Sequence, residues 1–204
     1  MNSIEAVILD AADPAAAERF YERAFGLGDL VRVRAADAEA GSGFRGYTLS
    51  LVVAQPSIVR GLVGSAVDAG ASEVKPVTKS LWGYGGVVKA PDGALWKIAT
   101  SAKKDTAPDS RKVDEVVLLL GATDVLATKR FYVEQGLTVG KSFGRKYVEF
   151  AAPGSIKLAL YGRRALAKDA GVPEEGEGPH GLAIAASGTS AFTDPDGFAW
   201  QPAS

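Results

Sequence analysis

The sequence predicts an α+β protein that consists of two similar domains in tandem. The stretch of residues 4–26 resembles that of residues 113–136 and shares with it the tripeptide Arg-Phe-Tyr. A second shared signature, Pro-Asp-Gly followed within three residues by tryptophan, ends at Trp96 in the first copy and at Trp200 in the second. In both copies an apolar run typical of a β-strand comes before a helical pattern. A repeat of about half the chain indicates a duplicated domain and not a solenoid of short units.

Each copy contains signals for the start and the end of a helix. Asp13 and Asp124 precede the two helical patterns, where a carboxylate can accept hydrogen bonds from free amide groups. Gly26 and Gly136 follow the patterns, where a residue in the left-handed conformation commonly ends a helix. We therefore expect helices over residues 13–25 and 124–135, each packed on a sheet through one apolar stripe.

Further helix, turn and loop signals divide the rest of the chain. Apolar residues at helical spacing after Ser57 predict a third helix that ends at Gly70. The Pro-Asp-Gly triplets fit type I turns between short strands. Residues 101–112 are polar and lack apolar periodicity, which is typical of a linker, and residues 171–179 have the character of a surface loop. These features place one domain at residues 1–100 and the other at 113–204.

Composition excludes several classes of function. The net charge is −1, so no overall positive field attracts nucleic acid or anionic lipid. The absence of cysteine excludes disulfides and thiolate metal sites, and a single histidine excludes any site that needs two from one chain. We find no apolar run long enough for a membrane span and no signal-peptide pattern, so we expect a cytoplasmic protein whose partner is a small molecule.

Both halves resemble the glyoxalase/bleomycin-resistance/dioxygenase proteins, the vicinal oxygen chelate superfamily. Typical members begin with I-x-H-V-x-L-x-V-x-D, continue through a helix with Phe-Tyr that ends in Leu-Gly, and close with D-P-D-G-N-x-W-E-L. This chain follows that order over most of residues 3–100 and 112–202. The resemblance implies tandem domains built of βαβββ modules, in which curved mixed sheets form cups and the helices pack on the convex face.

The chain departs from the superfamily at the positions that bind metal. The resemblance implies histidines on the first and fifth strands and carboxylates on the fourth and eighth. Here Ala6 replaces the opening-strand histidine of the first domain, and Glu115 or Val117 replaces that of the second. The closing-strand glutamate falls on Lys97 and on Gln201. Because alanine and protonated lysine offer no lone pair, we expect no bound metal and no cofactor.

Both domains are also shorter than the resemblance implies. The first passes from a strand near residues 30–34 almost directly to the strand at 46–54, and the second has no room for a helix between residues 187 and 191. We expect two incomplete cups that complete one another across the linker or across a homodimer.

Two residues are candidates for acid-base catalysis. His180 precedes an apolar run and could take the fifth-strand histidine position, although a single histidine does not make a site and a structural or loop-capping role is the simpler interpretation. Glu115 stands in an apolar strand, where burial would raise the pKa of a carboxylate, or at the solvated start of that strand. The pair could work without metal if both reached one substrate proton.

Four aromatic residues are candidates for the wall of a ligand pocket: Trp82, Tyr84, Phe143 and Trp200. Aromatic side chains are common both in such pockets and in protein cores, so both interpretations stay open. The first functional hypothesis is a metal-free protein that binds a small hydrophobic or aromatic molecule, as the bleomycin-resistance proteins do. The alternatives are a glyoxalase-like lyase or isomerase that uses Glu115 and His180, and a structural or interaction protein whose cups are filled by its own side chains.

Overall fold

The computed structural model describes residues 3–36, 41–81, 83–151 and 153–203, and these form four α-helices and fifteen strands. The helices are α1 (Pro14–Ala24), α2 (Pro56–Asp68), α3 (Val125–Glu134) and α4 (Arg163–Ala170). The strands of the first copy are β1 (Ile4–Ala11), β2 (Val31–Ala35), β3 (Ser42–Gly43), β4 (Tyr47–Val52), β5 (Ser72–Ser80), β6 (Gly83–Lys89) and β7 (Leu95–Thr100). Those of the second are β8 (Glu115–Ala122), β9 (Thr138–Ser142), β10 (Tyr147–Ala151), β11 (Ile156–Gly162), β12 (Gly176–Glu177), β13 (Leu182–Ala186), β14 (Phe192–Thr193) and β15 (Ala199–Pro202).

The predicted helix signals are confirmed. The Asp13 side chain accepts from the amide of Ala16, and the Asp124 side chain accepts from the amides of Leu126 and Ala127. Gly26 and Gly136 have φ angles of 62° and 92°, a conformation that glycine adopts at little cost. In the part of the chain that the structure describes, no helix has the length and apolarity needed to cross a lipid bilayer.

Strands from both copies form one complete curved sheet. Eight strands pair in the order β5-β6-β7-β4-β8-β11-β10-β9, and the contact between the copies is the antiparallel pair of β4 and β8. Within this sheet β4, α2, β5, β6 and β7 make one βαβββ module, and β8, α3, β9, β10 and β11 make the second. The complete cup is therefore built across the linker, as one of the two expected arrangements requires. We call it the eight-stranded cup.

Five of the remaining strands form a smaller curved sheet, and β3 and β12 form a separate two-stranded sheet. β2, β1, β13, β15 and β14 lie side by side, with β1 of the first copy antiparallel to β13 of the second. A single paired position, Ile4 with Ile156, joins this sheet to the eight-stranded cup. As expected, only a short segment separates β13 from β14, without a helix.

The two faces of the eight-stranded cup differ in what covers them. Alternate residues of β8, Val116, Leu118 and Leu120, belong to the main apolar core shared with α1, α2 and α3. We call the opposite face, which carries Leu119, the inner face. Helix α4 packs on it through Leu166, Ala167 and Ala170, against Phe44, Leu95, Leu119 and Tyr161. Part of the cup is thus filled by the chain itself.

The linker is fixed to the first copy. The buried Gln55 side chain accepts from the amides of Thr106 and Ala107 and donates to the carbonyl of Ala107. Arg111 donates to Ser65 and to the carbonyl oxygens of Arg23 and Ala24 at the end of α1. The linker therefore has a defined path although it contains neither helix nor strand between residues 101 and 112.

Candidate functional site

One row of residues crosses the centre of the inner face. The strand registers pair Lys97 with Ser50, Ser50 with Val117, and Val117 with Lys157. Paired residues on neighbouring strands project to the same face, so these four side chains lie side by side. The closing strands β7 and β11 of the two modules each contribute a lysine, and the opening strands β4 and β8 contribute serine and valine.

Each of the two lysines is paired with a carboxylate. Lys97 Nζ lies 2.6 Å from Asp169 Oδ2 of α4, and Lys157 Nζ lies 2.5 Å from Glu115 Oε1. All four side chains are partly exposed, so each ion pair is only a modest contributor to stability. Both pairs therefore place charge on the inner face without strongly holding the fold.

The corresponding row of the smaller sheet consists of Ala6, Ala185 and Gln201, which pair with one another across β1, β13 and β15. Ala6 and Ala185 are buried in a small cluster with Ile8 and Ala183. The four positions that the sequence comparison singled out thus belong to two different sheets, with Lys97 and Val117 in the eight-stranded cup and Ala6 and Gln201 in the smaller one. Val117 lies in the row, while Glu115 pairs with Val52 two residues nearer the start of β8.

A groove of about 400 Å³ lies on the inner face beside α4. Small or apolar residues of β4, β6 and β7 line it, namely Val52, Gly85, Val87 and Ala99. Lys75, Lys97 and Asp169 line it as well. We call this space the inner-face groove.

Solved structures resemble this architecture over most of the chain. Glyoxalase I from Zea mays superposes with a TM-score of 0.60 at 12% identity and covers 97% of this chain and 90% of its own. A putative dioxygenase from Bacillus subtilis superposes with a TM-score of 0.54 at 14% identity, over 90% of this chain and 70% of its own. The chain has the vicinal oxygen chelate fold. No family model matches the sequence, and no curated protein matches it.

The vicinal oxygen chelate fold raises the question of a metal at the centre of each cup, and the residues present do not fit one. The rows offer one hydroxyl, one amide and two ammonium groups, and an ammonium has no lone pair for a metal. Within the described ranges, no group of three or more His, Asp or Glu side chains is placed to hold a metal ion. We therefore assign no chemical step to a metal.

The structure does not bring the two proposed catalytic residues together. His180 precedes β13, and its ring nitrogens lie 2.6 Å from the carbonyl oxygen of Arg45 and 3.0 Å from that of Asp196. Its ring also stacks on Phe198 with centroids 4.0 Å apart. Glu115 begins β8, whereas the backbone next to His180, at Gly46, contacts the other end of that strand at Gly121. Six residues of strand separate these ends by roughly 20 Å.

The aromatic candidates lie in different environments. Tyr84 is half-buried and lines the inner-face groove. Trp200 is 2% exposed, stacks on Phe192 and donates to Tyr132 within the core. Phe143 is 64% exposed and contacts the ring of Tyr147. Trp82 lies outside the described residues.

Sequence reasoning missed three residues of this site: Lys75, Lys157 and Asp169. Lys75 stands in an exposed edge strand, and Asp169 stands in a helix that was not predicted. A signal for Lys157 was available, because it lies on β11, the strand that closes the second module of the eight-stranded cup. Only the strand pairing, however, places Lys157 in the same row as Lys97, with Ser50 and Val117 between them.

Proposed function

We propose that this chain is a metal-independent small-molecule-binding protein and that its ligand occupies the inner-face groove. The observation that carries this proposal is a groove of about 400 Å³ on the inner face, beside α4, which is lined by strands of the first copy and includes Lys97 at one of the changed metal positions. That volume is in the range of pockets for small organic ligands. The ligand is a small hydrophobic or aromatic molecule, as is expected for binding of the bleomycin-resistance type.

The apolar part of the groove supports this ligand class. Val52, Val87 and Ala99 present short side chains on adjacent strands, and Gly85 between them has no side chain. A surface of this kind accepts the flat face of a ring without rearrangement. The lyase alternative has less support, because Glu115 and His180 lie at opposite ends of β8.

Blocking the groove tests the proposal. We expect members of an aromatic fragment library to raise the melting temperature of the wild-type chain and to bind saturably, because a ligand of the native state stabilises it. Ala99→Phe fills the apolar part of the groove and should abolish binding. Ala15→Phe makes the same change at an exposed position of α1 and should leave binding intact. Binding that persists unchanged in Ala99→Phe would contradict the proposal.

A structural role is the second candidate, and the packing of α4 favours it. Leu166, Ala167 and Ala170 already fill part of the inner face with apolar groups, as a core would. This role predicts that no library member binds saturably, even at millimolar concentration. The two candidates therefore give opposite results in the same titration. A homodimer stays a prediction for either role.

A further inference from the structure

Two ammonium groups from different strands meet at one residue of α4. Lys97 Nζ of β7 lies 2.6 Å from Asp169 Oδ2, and Lys75 Nζ of β5 lies 2.9 Å from the backbone carbonyl oxygen of Asp169. Both lysines and Asp169 line the inner-face groove. Since two ammonium groups face a single carboxylate, one positive charge at this end of the groove has no partner of opposite sign among the groups that line it.

The position of Lys75 is built into the fold. Helix α4 ends at Gly171 in the left-handed conformation, with a φ of 81°. A Cβ atom at Gly171 would lie 2.6 Å from Cγ of Lys75, so the lysine stem passes directly over this glycine. The same helix end therefore supplies the Asp169 carbonyl oxygen that accepts from Lys75 and leaves the space through which Lys75 reaches it.

We propose that the ligand of the inner-face groove carries a carboxylate, which binds to Lys75 and Lys97 while its apolar or aromatic body lies along Val52, Val87 and Ala99. This inference rests on the proposed function and names its ligand class, a small apolar or aromatic carboxylic acid. Each ammonium group has three N–H donors, and its hydrogen bond to Asp169 uses one of them. The remaining N–H groups can donate charge-assisted hydrogen bonds to a ligand carboxylate.

The charge of the groove favours a carboxylate over a phosphate. A single uncompensated positive charge matches a monoanion, whereas a phosphate dianion would leave one negative charge unpaired.

Asp169 holds the two lysines in place in the free protein, and it repels an incoming carboxylate. Removing its charge while keeping its shape, by Asp169→Asn, should therefore tighten the binding of an acid and leave the binding of a neutral analogue nearly unchanged. Tighter binding to this variant is specific to an anionic ligand, because a cationic ligand would bind to it more weakly.

The experiment compares 2-naphthoate with 2-naphthamide, which have the same shape and differ in charge, by calorimetric titration. The wild-type chain should bind the acid about tenfold more tightly than the amide, the difference that one charge-assisted hydrogen bond contributes. Lys75→Met and Lys97→Met should each reduce that ratio toward one, and Asp169→Asn should increase it severalfold. Thermal unfolding of each variant verifies that it is folded; Lys75 is exposed, so its variant is the safer of the two lysine changes.

The outcomes separate this inference from the proposed function. Equal binding of acid and amide, both blocked by Ala99→Phe, would overturn the carboxylate inference and support the proposed groove. A preference for the acid that survives both lysine changes would overturn the inference as well. Displacement of 2-naphthoate by inorganic phosphate at lower concentration than by acetate would assign the site to phosphate instead. Failure of both probes and of the wider fragment library to bind would overturn the proposed function and the inference with it.

Discussion

The residues shared by the two copies connect each helix to the turn that closes its copy. Tyr21 of α1 donates to Asp92 at 2.5 Å, and Tyr132 of α3 donates to Asp194 at 2.5 Å. In the second copy the indole nitrogen of Trp200 also donates to the Tyr132 hydroxyl, at 3.1 Å. Both repeated residues, the tyrosine of Arg-Phe-Tyr and the tryptophan, are thus core residues. They recur because each copy needs them to pack its core, and they give no information about a ligand.

Tyr132 gives a prediction at this scale. Burial, and after it the negative charge of Asp194, holds the pKa of Tyr132 well above its ordinary value. Because the pKa of Tyr132 is higher in the folded chain than in the unfolded chain, this tyrosine contributes its full stabilisation below the pKa of the unfolded state. That stabilisation is lost as the pH rises above this value toward the pKa of the folded state. We expect the free energy of unfolding to fall above about pH 10, where the unfolded tyrosine ionises.

The Tyr132→Phe variant checks this prediction. At neutral pH it should lower the free energy of unfolding by about 1–3 kcal/mol, because the buried Asp194 loses a donor and Trp200 loses an acceptor. Above pH 10 the difference from the wild-type chain should shrink. Urea unfolding between pH 7 and 11 measures both effects, with Tyr84→Phe as the half-buried control. A difference that is independent of pH would contradict the assignment.

His180 shows why a residue's type did not determine its role. A single histidine before an apolar run was compatible with a ligand position on a strand and with a loop cap. In the structure both ring nitrogens are occupied by backbone carbonyl oxygens, one from the first copy and one from the second. These contacts join the loop before β4 to the turn before β15, and they depend on chain segments 135 and 16 residues away. Local sequence patterns do not contain that information.

At the scale of elements, α4 is the feature that most changes the cup. Leu166 is completely buried between α4 and the inner face, where it packs with Leu95 and Leu119. We expect Leu166→Ala to lower the free energy of unfolding by about 2–4 kcal/mol through lost burial and a residual cavity. Leu81→Ala is the control, since Leu81 is 76% exposed and should change stability little. Chemical denaturation measures both, and equal small effects would mean that α4 does not pack as described.

The elements that the sequence predicted are those with strong local signals. Aspartate caps, glycine ends and apolar periodicity located α1, α2 and α3 closely, although α2 begins at Pro56 and not after Ser57. Helix α4 carried the same kinds of signal, with Leu166, Ala167 and Ala170 at helical spacing and Gly171 at its end, but it is short and lies next to a polar loop. The expectation of βαβββ modules with curved mixed sheets is confirmed, and α1, α2 and α3 share one face as predicted, whereas α4 lies on the opposite face.

Strand pairing was beyond sequence reasoning, and so was most of the candidate site. The row that joins Lys97 to Lys157 exists because β4 pairs with β8, a contact between residues far apart in the chain. Alternation along a strand predicts which residues share a face, but it does not predict which strand lies alongside. The sequence likewise identified Lys97 as a changed metal position without revealing its partner Asp169, because that contact depends on where α4 packs.

At the scale of the whole molecule, both copies contribute strands to the same two sheets, so the folding of one copy depends on the other. The first copy contributes β4 to the eight-stranded cup and β1 to the smaller sheet, and the second contributes β8 and β13 opposite them. Separating the copies at the linker would expose the edges of β1, β4, β8 and β13 together with the apolar residues of the main core. Exposed edges and apolar faces of this kind lead to aggregation and do not form independently stable sheets.

We therefore predict that the chain unfolds in a single cooperative transition, although its sequence divides into segments 1–100 and 113–204. Tryptophan fluorescence reports mainly on the core through Trp96 and Trp200, and far-ultraviolet circular dichroism reports on all helices and strands. The two signals should give the same midpoint and the same slope with urea, which is the test of two-state behaviour. Each segment produced alone should be unfolded or aggregated, and mixing the two during refolding should restore the native spectrum, because β4 then meets β8 and β1 meets β13. Two separate transitions, or a segment that unfolds cooperatively by itself, would show that each copy is an independent domain and that the pairing between them adds little to stability.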